Sequence, residues 1–269
     1  MSLRASGLRT PYPFDVIEPG WEGLPACVRA FSTTRSGGIS RQPYGGAGDN
    51  GSDGGGGLNL GDHVGDDAAA VAANRAIVRN AISPDADIRW LSQVHGVAVC
   101  DAAAAADGAK ADASSTAQKN TVCAVMTADC LPVLFSDCEG KVVAAAHAGW
   151  RGLAAGILDN TVAHMRESGA GDIVAWLGPA IGPTRFEVGE DVLQAFAALP
   201  GSGACFVPCA TAPGKYYADI YALSRQVLAR AGVQKVVGGV HCTVIEKERF
   251  YSYRRDGVTG RMASFIWLE

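Results

Sequence analysis

The stretches "TADCLPVLF" (residues 127–135) and "AAHAGWRG" (residues 145–152) each join an apolar run to a corner with reactive side chains. Short apolar runs bounded by Gly and Asp predict buried β-strands. We predict three such strands, over residues 121–128, 132–137 and 141–147. The corner between the first two carries Asp129 and Cys130, and the third strand ends on His147. Their short connections favour some antiparallel pairing.

The rest of the chain alternates between helix-like and strand-like patterns. Apolar periodicity predicts three helices, over residues 66–82, 153–167 and 219–231. Further strands are predicted over residues 27–33, 88–95, 96–100 and 172–177, with an Ala-rich loop over 101–120 and a C-terminal hairpin over 249–268. Strands in direct succession, mixed with strands separated by helices, predict an α+β fold in one domain, residues 1–269.

Composition limits the classes of function. The 269 residues include 48% hydrophobic and 19% charged residues, and the net charge is −4, which is typical of a soluble globular protein. A negative chain without a basic patch predicts no nucleic acid partner. No run of about 18 apolar residues and no secretory signal occur, which predicts no membrane association. Eight cysteines without a CxxC pair predict reduced thiols and a cytoplasmic location.

Glycine dominates residues 45–57, where eight of thirteen positions are Gly. Such a run cannot bury a core, so it predicts a flexible surface insertion. It lacks the GxxxxGK[ST] pattern of a phosphate-binding loop, which argues against that role.

Three residues with metal-binding side chains stand where predicted strands end: His95, Cys130 and His147. One thiolate and two imidazoles suit a catalytic zinc site with one open position, at which the pKa of a bound water falls toward about 7. Other interpretations stay open from the residues alone. These are a Cys-His hydrolase with Cys130 as nucleophile and His147 as base, a copper site with Met126 as a poor axial ligand, and structural roles.

The helix predicted over residues 66–82 has an arginine in its apolar stripe. The stripe has spacings of four, three and four, and consists of Val71, Arg75, Val78 and Ile82. A buried charge needs a partner. A structural ion pair, a snorkelling stem and an anion site in a pocket all satisfy this requirement.

A series of motifs resembles the YfiH-like laccase-domain family, whose members are named multicopper polyphenol oxidases and purine nucleoside phosphorylases. In order they are "NLGDHVGDD" with "ANR", "LSQVHG", "MTADCLPVLF", "AAAHAGWRG", "LGPAIGP", "CT" at residues 242–243 and "SYRRDGVTGR". The resemblance runs from about Phe31 to the C-terminus. It implies an α+β sandwich of mixed β-sheets with packed helices, the CNF/YfiH-like fold, related to a toxin with a Cys-His hydrolase site.

The resemblance also implies a site and an activity. The zinc ligands of the family match His95, Cys130 and His147, while Asn59 and Arg75 are similar to residues that line its pocket. Characterised members cleave purine nucleosides with phosphate and deaminate adenosine. Zinc is therefore the implied cofactor, and a purine nucleoside and phosphate are the implied small-molecule partners. The long glycine-rich run departs from the family next to Asn59.

The implied chemistry assigns further roles. Phosphorolysis passes through a cationic sugar and needs a bound anion, so we expect Arg75 to hold phosphate, with Arg151 as a weaker candidate. We expect catalytic roles for Arg75, Asp129 and Cys130. Asp129 either orients a ligand, transfers a proton or merely caps a turn.

Three competing functions stay open at this point. An amide hydrolase could use the same site to edit a peptidoglycan precursor, UDP-muramoyl-serine. A copper polyphenol oxidase (laccase) is less favoured, because five scattered histidines are too few for a multicopper centre. A non-catalytic binding module conflicts with an open three-ligand site. We expect a monomer or a weak homodimer.

Overall fold

Two mixed β-sheets pack face to face in the computed structural model, which describes residues 12–47 and 56–269. In spatial order, the first sheet contains β1 (Val16–Ile17), β2 (Val28–Thr33), β16 (Met262–Leu268), β8 (Thr121–Thr127) and β5 (Asp87–Arg89). The second contains β15 (Lys235–Gly238), β11 (Ile173–Leu177), β9 (Leu131–Asp137), β10 (Val143–Ala148), β7 (Ala113–Thr116) and β6 (Val99–Asp101). Pairs β5–β8, β11–β15 and β6–β7 are parallel, and the other pairs in these sheets are antiparallel.

Smaller sheets and helices surround this sandwich. One small sheet pairs β3 (Ser36–Gly38) with β4 (Gly56–Gly57), and another contains β12 (Glu187–Gly189), β14 (Lys215–Ala218) and β13 (Phe206–Pro208). The helices are α1 (Ala68–Ile82), α2 (Trp150–Ala155), α3 (Ile157–Glu167), α4 (Glu190–Ala195), α5 (Ile220–Arg230) and α6 (Tyr253–Asp256), with a 3₁₀ helix at Ser202–Cys205. Within the described ranges, no helix is both long enough and apolar enough to span a membrane.

Side chains alternate between layers along the central strands, and this alternation builds the sandwich. In β8, Ala124 packs on the α1 side, whereas Val125 packs against the second sheet. In β9, Leu134 faces the first sheet, whereas Val133 packs with α3 and α5. The layers are therefore helix, sheet, sheet and helix, which confirms the predicted α+β sandwich.

The letters "ADC" mark the point where the chain crosses between the two sheets. β8 belongs to the first sheet and β9 to the second, and three residues connect them. Asp129 makes this turn with a φ of 94°, a conformation that non-glycine residues seldom adopt. Because β10 pairs with β9 with His147 opposite Pro132, the crossing brings Cys130 next to His147.

The predicted helices are confirmed, with one interruption. The side chain of Asp67 caps α1 by accepting a hydrogen bond from the Ala69 N–H, and Asp219 caps α5. The helix predicted over residues 153–167 is divided into α2 and α3. Gly156 separates them with a φ of 103°, which ends one helix and begins the next.

Two predictions near the candidate ligands, one of a strand and one of a loop, were wrong. The strand predicted over residues 88–95 stops at Arg89, and His95 lies in a loop with a φ of 60°. The N–H groups of residues 94–96 donate to the side chain of Asp112 instead of a neighbouring strand. The segment predicted as an Ala-rich loop, residues 101–120, contains β7, which is buried between β6 and β10. The small side chains of β7 lack the bulky apolar pattern by which a strand is predicted.

The C-terminal hairpin predicted over residues 249–268 was also wrong. The Ser252 hydroxyl accepts the Arg255 N–H and starts the short helix α6, so Gly257 ends a helix and not a hairpin turn. β16 pairs instead with β2 and β8. Residues 48–55 of the predicted glycine-rich insertion lie outside the described residues, and Gly56–Gly57 form β4.

Candidate metal centre

The structure brings three predicted ligands together. One ligand atom from each of His95, Cys130 and His147 lies within 4.8 Å of the others, and this is the one such group of at least three residues in the described ranges. The Sγ of Cys130 is 3.8 Å from the Nε2 of His95. The two imidazole rings are nearly perpendicular, with centroids 4.7 Å apart. The three donors therefore come from different parts of the fold: Cys130 from the crossing between β8 and β9, His147 from β10 and His95 from a loop.

A buried carboxylate that the sequence interpretation missed organises this group. Asp112 is fully buried and directly precedes β7. One carboxylate oxygen accepts the Nδ1–H of His147 at 2.8 Å and the backbone N–H of His95 at 2.9 Å. The other oxygen accepts the N–H groups of Val94 and Gly96 at 3.2 and 2.7 Å. Asp112 therefore holds the His95 loop in place and leaves Nε2 of His147 as the ligand atom.

The two imidazoles favour the thiolate form of Cys130. Burial raises the pKa of the thiol, but His147 and His95 outweigh this effect and lower it to about 6. Burial also disfavours a charged His147, yet Cys130 and Asp112 raise the pKa of this ring to about 9. Each group thus favours the charged form of the other, and a metal bound through His147 would take the place of its proton.

The donor set and its surroundings fit a metal ion. A thiolate and two imidazoles, one of them oriented by a carboxylate, are a donor set that metal ions such as zinc accept in proteins. Gly149 keeps the space open, since a Cβ at this position would lie 2.9 Å from Cδ2 of His95 and 3.2 Å from Sγ of Cys130. The glycine in "HAG" is therefore explained by the approach of the other two donors.

A cavity of about 700 Å³ opens beside the cluster, within the usual range for small-molecule sites. Its wall includes all three candidate ligands together with Arg75, Trp90 and Arg261. The sequence patterns do not point to Arg261, because it lies far from the three ligands along the chain, in a segment predicted to be a hairpin. The only signal for it was its place in the "SYRRDGVTGR" motif.

Arg75 reaches the cavity, but its charge already has a partner. Its Nε donates to the carbonyl of Leu60 at 3.0 Å, and its Nη2 lies 3.2 Å from the carboxylate of Asp62. The guanidinium also stacks 4.2 Å above the ring of Trp90. Since the Asp62 side chain is 62% exposed, this ion pair is not a buried one.

The other predicted site residues do not line the cavity. The buried amide of Asn59 bonds Gly61, Asp66 and the N–H of Arg261. Arg151 is exposed and packs over the ring of Trp150. The carboxylate of Asp129 accepts the hydroxyl of Thr243 at 2.5 Å and the N–H of Arg254, in the first turn of α6, at 2.6 Å. Of the expected roles for Asp129, these contacts match turn capping.

Comparison with known proteins agrees with this fold and site. Residues 29–269 match the model of the family described as multi-copper polyphenol oxidoreductase laccase. The chain belongs to this family. This confirms the resemblance to YfiH-like proteins inferred from the motifs.

Relatives cover nearly the whole chain. The purine nucleoside phosphorylase YfiH of Escherichia coli K12 is 49% identical over 255 residues, which are 94% of this chain and 98% of the relative. A purine nucleoside phosphorylase of Haemophilus influenzae is 44% identical over 254 residues, 94% of this chain and 99% of the relative. The crystal structure of Neisseria meningitidis protein NMB0706 has a TM-score of 0.85 and 47% identity, covering 94% of this chain and 99% of that protein.

Proposed function

We propose that this protein is a zinc-dependent purine nucleoside phosphorylase that also deaminates adenosine. The observation that carries the proposal is the convergence of His95, Cys130 and His147 on the wall of a cavity of about 700 Å³. The names and coverage of the E. coli and H. influenzae relatives support the phosphorylase activity. A purine nucleoside and phosphate are accordingly the proposed substrates.

His95, Cys130 and His147 would hold the zinc, and Asp112 would support it through His147. When bound, zinc supplies a Lewis acid with one open coordination position. The Asp112 carboxylate accepts a hydrogen bond from Nδ1 of His147, which would leave Nε2 to bind the metal. Through its bonds to the N–H groups of residues 94–96, it also fixes the loop that carries His95.

The two reactions make different demands on the cavity. In phosphorolysis, an oxygen of phosphate bonds C1′ of the sugar while the C1′–N9 bond breaks, so the site must hold an anion beside a sugar that becomes cationic. In deamination, water adds to C6 of the purine and ammonia leaves, and no phosphate is required. Comparing both reactions in one variant therefore separates anion binding from damage to the whole site.

The geometry also favours a second candidate, hydrolysis of an amide in a peptidoglycan precursor. A thiolate next to an imidazole that is itself oriented by a buried carboxylate is an arrangement of Cys-His hydrolases. A copper oxidase is less well supported. The five histidines of the chain cannot supply the ligands of several copper ions.

The proposed function is tested with the purified, metal-quantified protein. We expect inosine to yield hypoxanthine and ribose 1-phosphate only when phosphate is present, and adenosine to release ammonia with or without phosphate. UDP-muramoyl-serine, under the same conditions, should release no serine. Serine release without nucleoside turnover would replace the proposed function by the amide hydrolase.

Because the Arg75 guanidinium is already paired with Asp62 and stacked on Trp90, we propose that it contacts the nucleoside rather than phosphate, the role expected from the sequence. Arg75→Ala should then weaken nucleoside binding in both reactions while the protein stays folded. The variant loses the guanidinium that lines the cavity wall beside Trp90, and without the proposed contact to the nucleoside the KM for inosine and for adenosine should rise about tenfold to a hundredfold. Asp62 is exposed, so water solvates its carboxylate once the arginine is gone. Steady-state kinetics and thermal melts check this. A Tm lowered by about 10 °C or more, with both activities lost in parallel, would mean that Arg75 supports the fold instead.

A further inference from the structure

Arg261 is a cation at the wall of the cavity, close to the metal cluster. It directly precedes β16, in which Met262 pairs with Thr127 at the start of the crossing to Cys130. Its side chain lines the same cavity as Cys130 and His147. Burial lowers the pKa of this guanidinium, while the charges of Cys130 and Asp129 act in the opposite sense. The residue therefore holds a partly desolvated positive charge next to the reaction site.

The guanidinium of Arg261 lacks a carboxylate partner in the part of the chain that the structure describes. Its Nη1 donates to the carbonyls of Thr259 and Gly260, both at 3.0 Å. Its Nε and Nη2 bond no described residue, and the ring of Tyr253 lies 6.0 Å away. Arg75, the other cation on this wall, is paired with Asp62. A partly desolvated guanidinium with no carboxylate in direct contact can still bind an anionic ligand, which would compensate its desolvation.

The segment 59–61 holds Arg261 in position. The side-chain oxygen of Asn59 accepts the N–H of Arg261 at 2.9 Å, and Leu60 donates its N–H to the Arg261 carbonyl at 3.1 Å. Gly61 lies against the side chain, since a Cβ at this position would be 2.7 Å from Cγ of Arg261. The "NLG" and "GR" motifs, far apart in sequence, thus form one local structure.

We propose that Arg261 binds the attacking phosphate and that Asn59 and Gly61 position it for this purpose, an inference that rests on the proposed phosphorolysis. The free Nε–Nη2 edge of a guanidinium presents two parallel N–H donors that match two oxygens of a phosphate. Bonds from Nη1 to two carbonyls fix the plane of this edge.

Arg261 stays protonated throughout the step. An oxygen of hydrogen phosphate forms the bond to C1′ as the C1′–N9 bond breaks. The electron pair of that bond goes to the purine, which takes up, through solvent, the proton that the phosphate gives up. The products are ribose 1-phosphate and the free base. Arg261 lowers the barrier by orienting the phosphate and by balancing its charge in a partly dry site.

The test compares Arg261→Gln, Arg261→Lys and Gly61→Ala with the wild type, all loaded with zinc. Arg166→Gln is the matched control, because Arg166 also donates to a backbone carbonyl but lies on the exposed side of α3. We expect Arg261→Gln to raise the KM for phosphate about tenfold to a hundredfold and to lower the ratio of phosphorolysis to deamination by a similar factor. Lysine should restore part of the loss, since it keeps the charge without the two-donor edge.

Gly61→Ala changes the position of the Arg261 side chain without removing its charge. The added methyl group displaces the Arg261 side chain while the guanidinium remains, so the KM for phosphate should rise with little change in kcat at saturating phosphate. Zinc content should match the wild type in every variant. An unchanged KM for phosphate in Arg261→Gln and Gly61→Ala would overturn the inference and leave the proposed function intact.

Calorimetric titration of inorganic phosphate into the zinc-loaded protein tests the inference without any turnover. The wild type and Arg166→Gln should bind phosphate equally, and Arg261→Gln should bind it about tenfold to a hundredfold more weakly. Equal binding by the wild type and Arg261→Gln would refute the assignment. If the wild type binds phosphate through Arg261 but cleaves no nucleoside, the phosphorylase function fails while the anion site stands.

Discussion

Replacing Cys130 by alanine should remove the bound zinc and abolish both proposed reactions. Among the three convergent donors, only Cys130 brings a negative charge and a soft ligand atom. Outer partners of metal ligands already change metal affinity or activity by about 10- to 100-fold, so losing a ligand should cost more than a hundredfold. Elemental analysis should give about one zinc per chain in the wild type and less than about a tenth of that in the variant.

Two controls make this result specific. Cys138→Ala removes an exposed cysteine on the surface, and it should keep wild-type zinc and activity. Wild-type protein stripped by a chelator is the reference for stability, and Cys130→Ala should melt close to that form. Equal zinc in Cys130→Ala and the wild type would show that this group is not the metal site.

The same residue distinguishes the two candidate chemistries. A cysteine that serves as a ligand forms no covalent bond with the substrate, whereas a Cys-His hydrolase passes through an acyl-enzyme. Intact-mass spectrometry during turnover should therefore show no substrate-derived adduct. An adduct on Cys130 would establish the hydrolase and exclude a purely ligating role.

All three donors were predicted from the sequence, but the reason for the prediction was correct for only two of them. Cys130 and His147 were predicted because they adjoin long apolar runs that are typical of buried strands. In the structure, Cys130 lies in the crossing that precedes β9, and His147 lies near the end of β10. His95 was placed at the end of a strand that does not exist there. Its loop depends on Asp112, a contact between residues 17 positions apart that no local pattern encodes.

The supporting residues could not be found from local patterns. Asp112 precedes "ASST", whose small side chains lack the bulky alternation of a strand, although they are buried on both sides in β7. The "DG" of residues 256–257 favoured a hairpin, because the helix-capping role of Ser252 is visible only once the backbone is known. Arg261 is held at the cavity by a contact with Asn59 across 202 positions. Tertiary contacts of this kind override local turn and strand propensities.

Asp112→Asn should destabilise the protein and weaken zinc binding together. The carboxylate is fully buried and accepts four hydrogen bonds, from three backbone N–H groups and from Nδ1 of His147. Asparagine has one oxygen, so its NH₂ group would face two N–H donors that it cannot satisfy. Each unsatisfied buried group costs about 1–3 kcal/mol, and the variant should lose roughly 2–5 kcal/mol of unfolding free energy.

Chelator competition and thermal melts, with and without zinc, measure the two effects of Asp112→Asn. Zinc affinity should fall about 10- to 100-fold, because His147 loses the acceptor that fixes its tautomer and ring orientation. Asp159→Asn is the matched control, since Asp159 pairs with Arg230 at the surface and such pairs contribute little. If Asp112→Asn were to keep wild-type stability and zinc affinity, the carboxylate would not be the element that couples the His95 loop to His147. If it melts early but binds zinc normally, Asp112 orders the loop alone, and His147 finds its orientation from the metal.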